Sequence, residues 1–150
     1  MILRRATSAD AGVVAEISTT SRHTAMPTVR WAHTPEEDRW WVANILLPTE
    51  EVWVAEQDGR VKGFLALHDD AEGAWVSQLY LRPGTWRRGI GSALLAHAKS
   101  LRPAGLRLWC FQVNARGRAF YERHGFTLDH KTDGAANEER EPDMLYVWHP

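Results

Sequence analysis

A chain of 150 residues has the size of one ordinary domain and can bury about 70% of the surface its unfolded form exposes, so it needs no disulfide or metal staple. Hydrophobic residues at 44% and charged residues at 25% exclude a disordered protein, and a net charge of −1 lacks the basic excess of a nucleic-acid binder. The lone Cys110 leaves no disulfide framework, no apolar run approaches the roughly 20 residues that cross a bilayer, and Met1–Arg5 is too short for a signal-peptide core. The expectation is one soluble, cytoplasmic domain over residues 1–150, with no membrane and no nucleic-acid partner.

The first strand is predicted at Ile2–Ala6. Thr7 or Ser8 then caps a helix with Asp10 in its first turn, and Val13, Val14 and Ile17 carry helical spacing. Residues 21–33 read as loop. Thr34-Pro35-Glu36-Glu37 places a capping Thr, Pro at the first helical position and Glu at the third, a capping box that opens a helix running to about Leu47, where Pro48 stops it. Val52–Gln57 and Val61–Leu67 flank Asp58-Gly59, a hairpin turn signal. Further strands are expected at Ala74–Leu81, Leu106–Phe111, from Phe126 onward, and at Met144–Trp148. Ile90, Leu94, Leu95, Ala98 and Leu101 mark one helix face, and another helix runs from Asn114 to about His124, closed by Gly125. The order is β-α-α-β-β-β-α-β-α-β-β, a mixed α/β layering with antiparallel strands first and a βαβ crossover in the middle. Eight Trp are spread along the chain; most suit a core or sheet face, while Trp31 and Trp86 fall in loops.

Chemistry concentrates in residues 76–95, VSQLYLRPGTWRRGIGSALL. A strand ends at Leu81, Pro83-Gly84 turns the chain, and Arg87-Arg88-Gly89-Ile90-Gly91-Ser92 opens a helix. Glycines at a helix start let anionic oxygens approach backbone amides that have no intrahelical partner, and the helix dipole favours negative charge there. With two arginines alongside, this suits a pyrophosphate. The P-loop pattern requires Gly-Lys-Ser/Thr, which is absent, and a dinucleotide fingerprint requires a small residue where Leu94 stands.

The same segment resembles the acetyl-CoA-binding motif of the GNAT (GCN5-related N-acetyltransferase) superfamily, Gln/Arg-x-x-Gly-x-Gly/Ala, with Trp86 in place of its first residue. Asn114-Ala-Arg-Gly-Arg-Ala-Phe-Tyr121-Glu-Arg-His-Gly125-Phe126 resembles the family's second signature, Asn…Ala-x-x-Phe-Tyr-x-x-x-Gly-Phe. The likeness extends over nearly the whole chain, weakest between 21 and 33. It implies the GNAT acyltransferase fold, an α+β arrangement with a mixed, mostly antiparallel sheet and four helices. It also implies transfer of acetyl from acetyl-CoA, as cosubstrate and without a metal, to a primary amine by direct attack.

From the family likeness, the strand Gln78–Leu81 splays from its neighbour, and backbone amides of Leu79, Tyr80 and Leu81 meet the acetyl carbonyl and pantetheine. Arg87, Arg88, Gly89, Ile90, Gly91 and Ser92 hold the pyrophosphate, and Asn114 bonds the cofactor while capping its helix. Tyr121 is the implied general acid for the departing thiolate; a packed helical aromatic is the plainer alternative. Cys110 reads as an inert core thiol. Many relatives carry Glu about where Gln78 stands, and Gln is no base, so His68, Asp69, Glu72 or a water chain is left for that task. Asp133, Glu138, Glu139, Glu141 and Asp143, in the segment 132–143, either draw a cationic amine or form a solvated loop. The expected acceptor is a small-molecule amine. A protein N-terminus or lysine, or a silent acyl-CoA-binding sensor domain, is the alternative, and a homodimer is compatible with the chain.

Overall fold

In the computed structural model, which describes residues 1–150, strand periodicity of two puts successive side chains on opposite faces of one sheet. β1 (Ile2–Arg5), β2 (Glu51–Gln57), β3 (Arg60–Asp70), β4 (Gly73–Leu81), β5 (Leu106–Phe111), β6 (Thr127–Thr132) and β7 (Asp143–Trp148) lie in the spatial order β1-β2-β3-β4-β5-β7-β6. Every pairing is antiparallel except β4 with β5. A mixed, mostly antiparallel sheet with a central crossover is therefore present. Along β3, Phe64 and Ala66 face one core with Val54, whereas Leu65 and Leu67 face the other with Ala55.

Helices cover both faces. α1 (Ala11–Ala25) follows a 3-10 turn at Ser8–Asp10 and buries Val14 and Ile17 in the Phe64 core. α2 is a rod of three pieces, Pro35–Trp41, a π turn at Val42–Leu46, and Leu47–Thr49; it buries Val42 and Leu46 there too. α3 (Ile90–Leu101) lays Ile90, Leu94, Leu95 and Ala98 on the opposite face, where each fully buried leucine contributes roughly 1.5–3 kcal/mol over exposure. α4 (Ala115–Arg123) flanks the same side, with Phe120 and Tyr121 against that core. No helix is long and apolar enough to cross a membrane.

Two expectations shift. Residues 21–25 are helix and not loop, because the polar last turns of α1 find tertiary partners: Ser21 is buried, and Arg22 donates to Asp38 of α2 at 2.8 Å. Pro48 does not stop α2 at Leu47. The rod widens just upstream, Leu47 N–H donating to Val42 O, and continues to Thr49. That wide turn is where the rod accommodates a ring that would crowd the carbonyl four residues back.

Candidate functional site

β4 and β5 share one residue pair, Trp75 with Arg107. Beyond it the strands part, and an extra residue in β4 promotes this. Gln78 pairs with Ala66 but Val76 pairs with Leu67, so Ser77 is bulged, its hydroxyl donating to Glu50 and to Ala66 O. The register then fixes which amides face the opening. Arg82 N–H donates to Lys62 O on β3 at 2.7 Å, so by alternation Tyr80 N–H also faces β3, while Leu79 and Leu81 N–H face the gap. Of the three amides expected there, Tyr80's is spent on the sheet. Tyr80 lines the opening with its ring, its phenol pushed up by burial.

The gap is part of a cleft of about 660 Å³ that passes through the sheet from α3 and α4 to α1. At one end lies the start of α3. Gly89 holds φ +81°, with open space where a Cβ would stand, so the left-handed backbone is the reason for glycine here. At Gly91 a Cβ would meet the Phe120 ring at 3.3 Å and Leu81 at 3.4 Å; its smallness serves the packing of α3 on α4. Ala93 N–H is the first amide here to find a backbone acceptor, Gly89 O at 3.0 Å, and those of residues 86–92 have none. Such a row of free donors at a positive helix end is an anion cradle.

Charge at this end is arranged differently from the sequence expectation. Arg87 lines the cleft but Arg88 does not, and Ile90 turns its side chain into the core, leaving only its amide. Arg116 and Arg123 of α4 also line the cleft, and Arg116 lies over the Trp86 ring at 4.2 Å. The motif position that lost a polar side chain thus carries a cation on its face. Ser92 Oγ lies 3.1 Å from His124 Nε2.

In the middle of the cleft, Asn114 caps α4, its Oδ1 accepting from Gly117 N–H at 3.0 Å. Seven residues on, Tyr121 packs its ring against Phe120, Phe126 and Tyr146 at 5.3, 5.6 and 6.5 Å. Its hydroxyl makes no hydrogen bond to protein, and burial, with Cys110 and Tyr80 adding, pushes the phenol well above its usual range. Burial thus favours the protonated phenol. Cys110 is buried and its thiol is pushed up to about 12 by burial, which suits an inert wall.

The far end is formed by Ser21 and Ala25 of α1 and Met26 just after it, with Thr132, Asn137 and Asp143. The loop after α1 bridges across to the β6–β7 connection. Ala32 N–H donates to Glu139 at 3.2 Å and His33 pairs with Glu138, which raises the imidazole's affinity for its proton. Trp31 anchors the bridge, stacked on His23 at 5.8 Å, under Arg22 at 4.7 Å, and 6.0 Å from Phe111.

A family model for the GNAT acetyltransferase domain matches residues 48–128, from the end of α2 into β6. The chain belongs to the GNAT acetyltransferases. It is similar to the peptidyl-lysine N-acetyltransferase YiaC of Escherichia coli, 28% identical over 130 residues that make up 82% of this chain and 84% of that one. It is also similar to a probable N-acetyltransferase, Rv2775, of Mycobacterium tuberculosis, 33% identical over 85 residues, 54% of this chain and 49% of that one. In fold it resembles the PaiA N-acetyltransferase of Thermoplasma acidophilum, solved in complex with coenzyme A, at TM-score 0.80 and 22% identity over 99% of this chain and 98% of that one.

This GNAT protein is an acetyl-CoA-dependent acetyltransferase. Of the residues singled out from its sequence, Leu79, Tyr80, Leu81, Arg87, Gly89, Gly91, Ser92, Asn114 and Tyr121 line one cleft. The bases considered from sequence do not. Asp69 pairs with Arg102 at 2.9 Å, Glu72 with Arg107 at 3.7 Å, and His68 stacks on Trp75 at 6.2 Å, all near the β3–β4 turn and away from the gap. Arg116 and Arg123 were missed; their spacing on α4, one face of a helix that the second signature already marked, was the available signal.

Proposed function

We propose that the protein transfers acetyl from acetyl-CoA to the primary amine of a small molecule, by direct attack within the β4–β5 gap. The observation behind the acceptor class is the bridge from Ala32 and His33 to Glu139 and Glu138, which ties the loop after α1 to the β6–β7 connection beside the far end of the cleft; a tied rim of this kind suits a small amine better than a folded protein surface. The fit of acetyl-CoA rests on the free amides of residues 86–92, Arg87 and Arg116 at the phosphate end, and a gap of strand amides leading inward. In the reaction the neutral amine adds to the thioester carbonyl. Leu79 and Leu81 N–H donate to the oxygen that gains charge, fixed donors that need no reorganisation. The C–N bond forms, the C–S bond breaks, and Tyr121 gives its proton to the sulfur, while the nitrogen's surplus proton leaves to solvent, from which Tyr121 takes one back. Asn114 orients the start of α4 and with it Tyr121.

Transfer to a protein lysine is the second reading, favoured by the similarity to the E. coli peptidyl-lysine enzyme. A panel of small amines and lysine peptides with acetyl-CoA, scored by free thiol release, separates the two. Small amines turn over with the higher kcat/KM if the first reading holds; turnover of peptides alone refutes it.

A further inference from the structure

Five acids crowd residues 132–143, and burial distinguishes one of them. Asp143 opens β7, next to Phe111 of β5 and Thr132 of β6, is 8% exposed, and lines the far end of the cleft. Its two carboxylate oxygens accept from neutral groups, Thr132 Oγ1 on one and Asn137 Nδ2 on the other at 3.1 Å, and no salt bridge reaches it. An ionised carboxylate offers about four acceptor sites, so about two stay open. Gln112 Nε2 locks the surrounding backbone, donating to Thr132 O at 3.0 Å and to Asp143 O at 3.1 Å. Of its neighbours, Glu138 is occupied by His33, Glu139 by Ala32 N–H, and Asp133 by Ala135 N–H, while Glu141 is half-buried and does not line the cleft.

Buried charges are normally paired, because removing an ion from water is costly. A nine-tenths-buried carboxylate with a rigid setting, open acceptor sites and no cation of its own is built for a cation brought from outside. Resting on the reading of the cleft as an acetyl-transfer site, we propose that Asp143 binds a second cationic group of the acceptor, so that the preferred substrates carry a positive charge beside the amine that reacts. The reacting nitrogen is a poor occupant. A neighbouring carboxylate stabilises the ammonium form, and that form has no lone pair with which to attack. Asp143 is therefore a specificity-determining anchor and not the base.

The test compares a linear diamine with a monoamine of equal chain length, using Asp143→Asn, which keeps shape and an acceptor oxygen for Asn137 while its amide can donate to the Thr132 hydroxyl, and Asp143→Glu, which keeps charge. In Asp143→Asn the diamine KM should rise about 10–100-fold, as expected for a lost charged hydrogen bond, with kcat, monoamine kinetics and the acetyl-CoA Kd little changed. Asp143→Glu should recover part of the loss. Equal effects on both amines, or a fall in kcat with KM unchanged, would overturn the proposal. Diamine-induced thermal stabilisation supplies a readout independent of turnover: present in the parent and absent in Asp143→Asn, it supports the anchor even if neither amine is acetylated. Its absence in the parent refutes the anchor.

Discussion

Replacing Tyr121 by Phe removes one oxygen and nothing else that the fold uses. The ring contacts to Phe120, Phe126 and Tyr146 at 5.3, 5.6 and 6.5 Å are those of a phenyl group, and the hydroxyl donates to no protein acceptor. Stability should therefore change by no more than about 0.5 kcal/mol, a Tm shift within about 2 °C for a chain of this size. Losing a positioned general acid costs about 10²–10⁴-fold in turnover, or about 2.7–5.5 kcal/mol of barrier at 1.36 kcal/mol per tenfold. An acid that acts on the leaving sulfur is felt only in the transition state, so the fall should appear in kcat, and the acetyl-CoA Kd should hold. Burial raises this phenol above its ordinary 10.0, so it stays protonated through that pH and imposes no basic limb below it. Stopped assays of thiol release across pH, with a thermal melt of both proteins, measure all of this. Full turnover in the variant would refute the assignment; a large drop in Tm would mean that the hydroxyl serves packing.

Arg116→Ala and Arg87→Ala should each weaken CoA binding about tenfold, flatten its salt dependence and leave pantetheine untouched, whereas Arg88→Ala should do nothing; titration calorimetry at two ionic strengths checks this. Asp10→Asn should cost about 2–3 kcal/mol at neutral pH, since its carboxylate accepts from both Arg4 terminal nitrogens, at 2.9 and 3.0 Å, and from Thr7 N–H at 2.8 Å. Those bonds hold the Asp10 carboxyl below its ordinary 3.8. Its stabilisation is thus complete above that value and is lost as pH falls through the lowered one, so urea unfolding should show parent and variant converging in acid.

Much of this molecule is legible in its sequence because local chemistry sets it. The box at Thr34 forms as read, Thr34 N–H donating to Glu37 at 2.9 Å and Glu37 N–H to Thr34 Oγ1 at 3.2 Å. Asp58-Gly59 turns the β2–β3 hairpin with both residues at positive φ. What escapes is decided by partners far away in the chain. The end of α1 depends on Asp38 across from Arg22, and the candidate bases near Gln78 in sequence are carried off along the length of a hairpin. The acids at 132–143 are alike on paper; only packing between β5 and β6 makes Asp143 different from Glu141. The cation at Trp86 comes from residue 116, a pairing that no local pattern announces.

A sheet held at its midline by a single pair of residues is two half-sheets with a seam. Strands β1 to β4 and strands β5 to β7 are each continuous ladders, but across the seam the backbone is joined only at Trp75 and Arg107. Side chains of one core also join the halves: Ile90, Leu94, Leu95 and Ala98 of α3 share it with Leu65 and Leu67 of one half and Leu106, Leu108 and Tyr146 of the other. A thioester arm lying in the seam would take the place of the missing rungs and mend the sheet. Loading the enzyme with its donor and completing its architecture would then be one event, and discharge of the acyl group would take place in the most fully assembled form of the protein.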